Sequence, residues 1–314
     1  MKFFYGYINN YVDVTEKVLK LDNGNGEITI NKLYNTLLGD PYPWKLKHLK
    51  IESNDIGSIA IKEDVPFTFS VKPLDVSKIF VVYFINTQYN PNYIHLLRSQ
   101  LNELKQSGLL DYAELYVEAC TSVDSCNDDT IIQGIKQCIP NANIQIYHDD
   151  THEYHGIYKV WSLARSNPNS YILYFHSKGI TRINPMTETN CRTSQEKVIF
   201  NHVINQWQRN INLLKRFKSI DKLGFSCSNS GLIWYNYFWA KSEYLCKCEE
   251  PIETSDRYYY EEWLARCLKE PKSDNKLLPL SNEHYILNYY NCINLIGDYN
   301  IGIYYDNKVN KWFY

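Results

Sequence analysis

The sequence has no glycine-rich phosphate cradle. Neither G-x-G-x-x-G nor G-x-x-x-x-G-K-[ST] occurs in its 314 residues, which excludes the two common backbone-amide traps for dinucleotides and nucleoside triphosphates. G-x-S-x-G and H-E-x-x-H are missing as well, setting aside the hydrolase nucleophile elbow and the helical zinc protease site. Excess charge is absent too. Lys and Arg number 33 against 35 Asp and Glu, a net −2, so no electrostatic case arises for nucleic acid or an anionic membrane. No apolar run approaches the roughly 20 residues that cross a bilayer. The N-terminus, MKFFYGYINNYVDVTEKV, turns polar after its first residues and is not read as a signal peptide. A disulfide framework is also lacking: the nine cysteines are odd in number and scattered. Cys246 and Cys248 form a C-x-C too tight for a zinc knuckle, with no second pair at a matching distance. Reduced thiols and a soluble, cytoplasmic protein are the expectation.

What is present is a globular composition, 44% hydrophobic and 22% charged, sufficient for a sizeable core. Tyrosine stands out at 28 residues, beside 7 Trp and 12 Phe. Such rings either fill core and boundary positions or offer flat faces to sugars and nucleobases. Residues 1–73 read as a small β-rich accessory module: KFFYGYI, YVDVT, GEITI, KHLKIES and IGSIAIKE are short alternating runs between Asn, Gly, Asp and Pro turns. Pro73 marks the joint, and residues 74–314 form the second unit.

From Ser77 the pattern becomes strand, helix, strand, helix. KIFVVYFI is a continuous apolar run of the buried parallel-strand type. The next segment carries a helical stripe at Ile94, Leu97, Leu101 and Leu104 and stops at Gly108. AELYVEACT, NIQIYHD and SYILYFHSK read as further strands, with helices over DDTIIQGIKQCI and HGIYKVWSLARS. Three successive strand–helix units imply an α/β fold, a mostly parallel Rossmann-like sheet flanked by helices on both faces. Ligands on such sheets bind at the carboxyl ends of the strands. The fourth strand ends there in His176-Ser177-Lys178-Gly179. Beyond it the sequence predicts a polar loop, one long helix over EKVIFNHVINQWQRNINLLKRFK, a short strand at LGFSCS, strand material in GLIWYNYFWAKSEYLCKC and a helix over SDRYYYEEWLARCLKE. The last 40 residues or so are expected to wrap back over the core.

This order of parts resembles a glycosyltransferase of the GT-A type over about residues 78–270. VVYFINTQYN is similar to the first strand, whose exit receives the nucleotide. DDTHEYHGIYKVWSLARSNPNSYILYFHSKG resembles the segment leading to the metal-binding D-x-D. YFHSKG resembles an H-[ST]-K-G variant of bacterial and large-virus glycosyltransferases, WYNYFWAKSEYL their aromatic N-[FY]-[FW]-W-A strand, and RYYYEEWLAR their R-x-x-[YF]-E-x-W stretch. The N-terminal module also resembles a small β unit fused to some such enzymes. The resemblance implies a nucleotide-sugar donor, UDP- or GDP-linked, a carbohydrate or other hydroxyl acceptor, hexosyl transfer and a role in building polysaccharides. It also implies a divalent ion, Mn²⁺ or Mg²⁺, and here the sequence departs from the pattern. No D-x-D stands at the strand exit. Either Lys178 supplies a fixed positive charge to the leaving diphosphate, or His176 holds a metal with Asp149 or Asp150 nearby.

Glu261 and Glu262 are the acid/base candidates, because an inverting transfer needs a carboxylate to take the acceptor's proton. Neighbours on a helix point about 100° apart, and the Y-E-x-W spacing selects Glu261 to face the cleft. The competing reading is a helix start charged to suit its dipole. Asn86 and Thr87, closing the first strand, and Asp149 and Asp150, closing the third, are donor candidates together with His176, Ser177 and Lys178. Each also has a plain reading as a polar loop or helix cap. Tyr237, Trp239 and Trp263 are the acceptor-side candidates, with Trp234 and Tyr235 beside them. Alternation sends half of such a stretch into the core. Arg182 and Arg192 are placed to meet phosphate or merely to charge a loop. His148, His152 and His155 are read as surface or packing residues. The alternative is a catalytically inactive relative that binds glycan or nucleotide without turnover.

Overall fold

Residues 78–86, KIFVVYFIN, carry bulky side chains at odd and even positions alike, the pattern of a strand buried on both faces. The computed structural model describes residues 1–31, 33–63, 65–71, 78–122, 128–227 and 232–266, together with the backbone of 292–294 and 300–301. The chain opens with β1 (Lys2–Tyr7), β2 (Asn10–Asp13), α1 (Thr15–Leu19), β3 (Glu27–Ile30), α2 (Tyr34–Leu38), β4 (His48–Ser53), β5 (Gly57–Lys62) and β6 (Phe67–Ser70). β1 is antiparallel to β2 and β4, and β4 to β5. β3 and β6 form a separate two-stranded sheet. The two helices are a departure from the purely β reading. α2 buries Tyr34 and Leu38, one turn apart on the same face, a spacing too short to register as helical periodicity in a longer window.

The strand–helix units follow: β7 (Lys78–Asn86), α3 (Tyr93–Gln106), β8 (Ala113–Cys120), α4 (Asp128–Cys138), β9 (Asn143–Tyr147), α5 (Tyr154–Ser166) and β10 (Ser170–His176). Next come α6 (Ser194–Phe200), α7 (Trp207–Arg216), β11 (Lys222–Gly224), β12 (Phe238–Lys241), α8 (Ser242–Leu245), α9 (Arg257–Glu262), β13 (Cys292–Asn294) and β14 (Asn300–Ile301). The strands β11-β12-β10-β7-β8-β9 form a six-strand, mostly parallel sheet in which β12 alone runs against its neighbours. Through β13 and β14 the ladder continues to β5 and the N-terminal strands.

Alternation along β7 divides the core. Val81, Tyr83 and Ile85 pack in the layer that holds Leu97, Leu101 and Leu104 of α3 and Ile131 and Ile135 of α4. Phe80, Val82 and Phe84 pack in the opposite layer with Ile157 and Val160 of α5 and Tyr244 of α8. Each fully buried side chain of this size stabilises the fold by about 1.5–3 kcal/mol. Glycine matters at residue 156, where an added methyl carbon would stand 2.8 Å from Phe84 Cβ and 2.9 Å from the Tyr174 ring. Its absence lets α5 close on β7 and β10.

The long helix expected after the polar loop is broken. α6 passes through a π turn at Asn201–Asn205 before α7 begins. Asn210 Nδ2 donates to the carbonyls of His202 at 2.9 Å and Val203 at 3.0 Å, satisfying groups that the break leaves open. The N-terminal strands meet the rest of the chain along α7. Phe67 and Phe69 pack their rings against Phe217, and Arg216 bonds Asp55 at 2.6 Å and the Val71 carbonyl at 2.6 Å. Pro73 lies outside the described residues. Of the last 40, expected to wrap back over the core, only 292–294 and 300–301 are described, their backbone pairing with β11 and β5.

Candidate functional site

β10 buries residues 170–175 and then emerges. Phe175 stacks on Tyr83 with ring centroids 4.6 Å apart, while His176, on the other face, lies parallel to Tyr174. The ladder runs one residue past the strand, since Ser177 N–H donates to the Phe84 carbonyl at 2.9 Å. Gly179 then adopts φ 83°, and a side chain there would also crowd Thr193 at 3.1 Å. The glycine of the H-S-K-G block is therefore a turn residue that bends the loop back over the strand exits.

That bend closes a cavity of about 300 Å³ at the carboxyl ends of β7 and β10. It is lined by Asn86 from β7, His176, Ser177, Lys178 and Arg182 from the β10 exit, and Glu261 from α9. Asn86 and Glu261, 175 positions apart in sequence, meet here. A larger cavity of about 850 Å³ beside α3, lined by Arg98, Asn102 and Gln106 among others, holds none of the sequence-predicted site residues.

Within the site, His176 Nε2 lies 3.0 Å from the Tyr235 carbonyl. A carbonyl only accepts, so Nε2 carries the hydrogen. Nδ1 stands 3.4 Å from Glu153 Oε1. Burial pushes the His176 pKa below its ordinary value, and the charge of Lys178 adds to this while Glu153 opposes it. Glu153 and Tyr89 line the pocket although the sequence reading named neither, and His152, read there as a surface or packing residue, lines it as well. Glu153 Oε2 accepts from Tyr174 OH and Asn236 Nδ2, both at 2.9 Å. It sits in a polar loop, DDTHEYHG, where periodicity says nothing about which way a carboxylate turns. The backbone around it is unusual: His152, Tyr235 and Asn236 have φ of 54°, 71° and 51°. Non-glycine residues in this region are held there by their surroundings and cluster at functional sites. Lys178 Nζ lies 5.2 Å from the centroid of the Tyr235 ring, a cation–π arrangement.

Other predicted residues have different places. Asp149 and Asp150 stand beside the cavity rather than in its lining. Asp150 Oδ1 accepts from Asn86 Nδ2 and Tyr89 OH, both at 3.0 Å, and the Asp149 carbonyl accepts from Gln88 at 2.6 Å. Thr87 is buried and donates its hydroxyl to the Cys120 carbonyl at 3.1 Å, a packing role. Glu262 pairs with Arg266 at 3.2 Å, leaving Glu261 as the carboxylate of the pair that lines the cavity. The acceptor-side aromatics are core residues. Tyr237, Trp239 and Trp263 are 0% exposed and present no ring face to a sugar. Trp239 Nε1 donates to the Val203 carbonyl, Trp263 Nε1 to that of Glu249 and Tyr237 OH to that of His176. Arg192 is also buried, bonded to Glu196 and Glu103 rather than turned toward phosphate.

No protein-family model matches the chain, and no curated protein matches it. Among solved structures, it is similar to a mannosyltransferase from Pyrobaculum calidifontis in complex with GDP-Man and Mn²⁺, at 12% identity and a TM-score of 0.36. The similarity covers 64% of this chain and 59% of that one, so the chain spans less than two thirds of that structure's length.

Mn²⁺ and Mg²⁺ call for several oxygen ligands. Glu153 is the carboxylate beside His176, and two hydrogen bonds already occupy its Oε2. Among the described residues no group of three metal-ligating side chains includes His176. The donor set at the β10 exit does not fit such an ion. The cations there, Lys178 and Arg182, suit an anionic ligand instead, with Glu261 at the opposite element. No helix among the described residues is long and apolar enough to cross a membrane.

Proposed function

We propose that the chain is a GT-A-like glycosyltransferase that moves a hexosyl group from a UDP- or GDP-sugar to a hydroxyl of a glycan or similar acceptor. The observation that carries this reading is the single cavity in which Lys178 and Arg182 meet Glu261 at the exits of parallel strands. Strand exits are where α/β sheets bind their ligands. In this reading Asn86 contacts the nucleoside end of the donor. Lys178 and Arg182 take the diphosphate and supply the positive charge that a D-x-D delivers through a divalent ion. Glu261 accepts the proton of the acceptor hydroxyl as its oxygen bonds to the anomeric carbon. The bond from that carbon to the diphosphate breaks, its electron pair leaving on the diphosphate, and the configuration inverts. Trp239 and Trp263 have no part in acceptor binding, because they are buried.

A second reading, a protein that binds nucleotide or glycan without turnover, is favoured by the lack of a D-x-D at the β10 exit. One experiment separates the two. The purified chain is screened by thermal shift against nucleoside diphosphates and nucleotide sugars, and sugar release or transfer is then measured with the stabilising donor. Glu261→Gln is expected to lower kcat by about 10²–10⁴-fold with donor affinity kept. Lys178→Ala is expected to lower kcat/KM by about 100-fold or more. Donor binding by the wild type without any turnover would establish the second reading. Unchanged turnover in both variants would remove the assigned roles.

A further inference from the structure

Beside the cavity, but outside its lining, three side chains of different chemistry converge. Cys120 closes β8 and is buried, Asp149 follows β9, and His155 lies in the first turn of α5. Cys120 Sγ is 3.6 Å from Asp149 Oδ1, and His155 Nε2 is 2.8 Å from Asp149 Oδ2. One donor atom from each residue lies within 4.8 Å of the other two. A tetrahedral zinc ion, with Zn–S near 2.3 Å and Zn–N or Zn–O about 2.0–2.1 Å, sets its donors about 3.3–3.5 Å apart. The His155–Asp149 pair is closer than that and all three atoms lie within 4.8 Å, so binding requires the carboxylate and ring to shift toward that spacing.

We propose that Cys120, Asp149 and His155 form a three-ligand zinc site that pins the β9–α5 loop to the exit of β8. The donor set decides the metal. A thiolate with an imidazole and one carboxylate suits zinc, whereas magnesium, calcium and manganese favour all-oxygen sets. Three protein ligands leave the fourth position open to water or a ligand atom.

The surroundings are those of a built site. The His155 ring is stacked on Tyr147, with centroids 3.5 Å apart and planes 7° from parallel, which fixes its orientation. Tyr147 OH in turn donates to Glu118 at 2.7 Å, and Lys159 pairs with the same carboxylate at 3.4 Å. Thr151 donates its hydroxyl to Asp149 Oδ1 at 3.0 Å, holding the carboxylate. Such outer partners orient metal ligands and are part of their affinity. On binding, the Cys120 thiol gives its proton to solvent and the sulfur becomes a ligand. The neighbouring Asp150 holds Asn86 and Tyr89 of the cavity wall, so the ion would stiffen that wall. The site stands whether or not the cavity transfers sugar.

The test uses the full chain, stripped of metal and titrated with Co²⁺ and then Zn²⁺. One equivalent of Co²⁺ is expected to produce a near-ultraviolet thiolate-to-metal band with four-coordinate visible bands, and one equivalent of Zn²⁺ to abolish both and raise Tm. Cys120→Ser is expected to remove the thiolate band, and His155→Gln to weaken Zn²⁺ binding by at least about tenfold. Circular dichroism checks that each variant is folded, and His155→Gln carries the test if Cys120→Ser does not fold. No uptake of either metal by the wild type, a thiolate band surviving in Cys120→Ser, or unchanged Zn²⁺ affinity in His155→Gln would overturn the proposal. Asp149 would then be a loop carboxylate hydrogen-bonded to His155, Thr151 and Cys120.

Discussion

His176 is held by one hydrogen bond that fixes its tautomer, 3.0 Å from Nε2 to the Tyr235 carbonyl, while Nδ1 faces Glu153 at 3.4 Å. Burial, with Lys178 adding its charge, lowers the pKa of this imidazole in the folded chain. Between that lowered value and the ordinary value of about 6.5, the unfolded chain binds a proton that the folded chain does not. Stability therefore rises with pH through this window, is complete above it, and is lost as pH falls through it. One such group contributes a slope of at most about 1.4 kcal/mol per pH unit. His48 and His202 are also lowered by burial, so the wild-type profile sums several groups. The informative quantity is the difference from His176→Gln, which keeps a donor for the Tyr235 carbonyl. Thermal melts from pH 7.5 to 5.5 are expected to fall less steeply for the variant; parallel curves would refute the assignment.

Elements are locked together beneath the site by a buried polar network. Glu196 of α6 is 0% exposed and accepts from Gln100 of α3 at 2.8 Å and from Arg192 at 2.9 Å. Gln100 also accepts from Tyr83 of β7 at 2.7 Å, while Tyr237 beside β12 holds the His176 carbonyl at 2.7 Å. The network ties the loop that follows H-S-K-G back to the sheet. Removing one member of a buried, hydrogen-bonded ion pair strands its partner's charge, a loss of about 3–5 kcal/mol. Glu196→Ala is therefore expected to lose stability of that size in urea unfolding. A loss below about 1 kcal/mol would mean that Glu103, already paired with Arg192, together with water compensates for the lost partner.

At the scale of the whole molecule, the N-terminal strands share a core with the parallel sheet. Phe3, Ile59, Phe67 and Phe69 belong to the same buried cluster as Leu213, Phe217 and Trp239. Arg216, largely buried, finds its carboxylate partner in Asp55 and two carbonyls at Ser70 and Val71. A chain shortened to residues 74–314 would expose Phe217 and strand the Arg216 charge. It is expected to be poorly soluble or to unfold well below the full chain. A soluble fragment with an undiminished Tm would instead make residues 1–73 a separable module.

The alternation of strands and helices after residue 77 was legible because a strand buried on both faces needs an unbroken apolar run, and its flanking helices need one apolar stripe each. The strand's polar end at His176-Ser177-Lys178 was legible too, while the turn at Gly179 came from the structure. Glu261 was singled out by the spacing of its stretch, and the helix angle then left Glu262 for Arg266. What periodicity does not encode is the direction of polar side chains in loops, and the site depends on that direction. Glu153 enters the cavity, and Asp149 turns to Cys120 and His155, because the β9–α5 loop bends at His152. Aromatic rings are ambiguous in sequence as well, since a stacking platform and a core tryptophan have one composition. Trp239 and Trp263 became core only through the packing of α7, β12 and α9. Local chemistry along the chain thus determined the sheet, its helices and the strand exit; the convergence of Asn86, Lys178 and Glu261 was decided by tertiary packing, which alone brings together side chains so far apart in sequence.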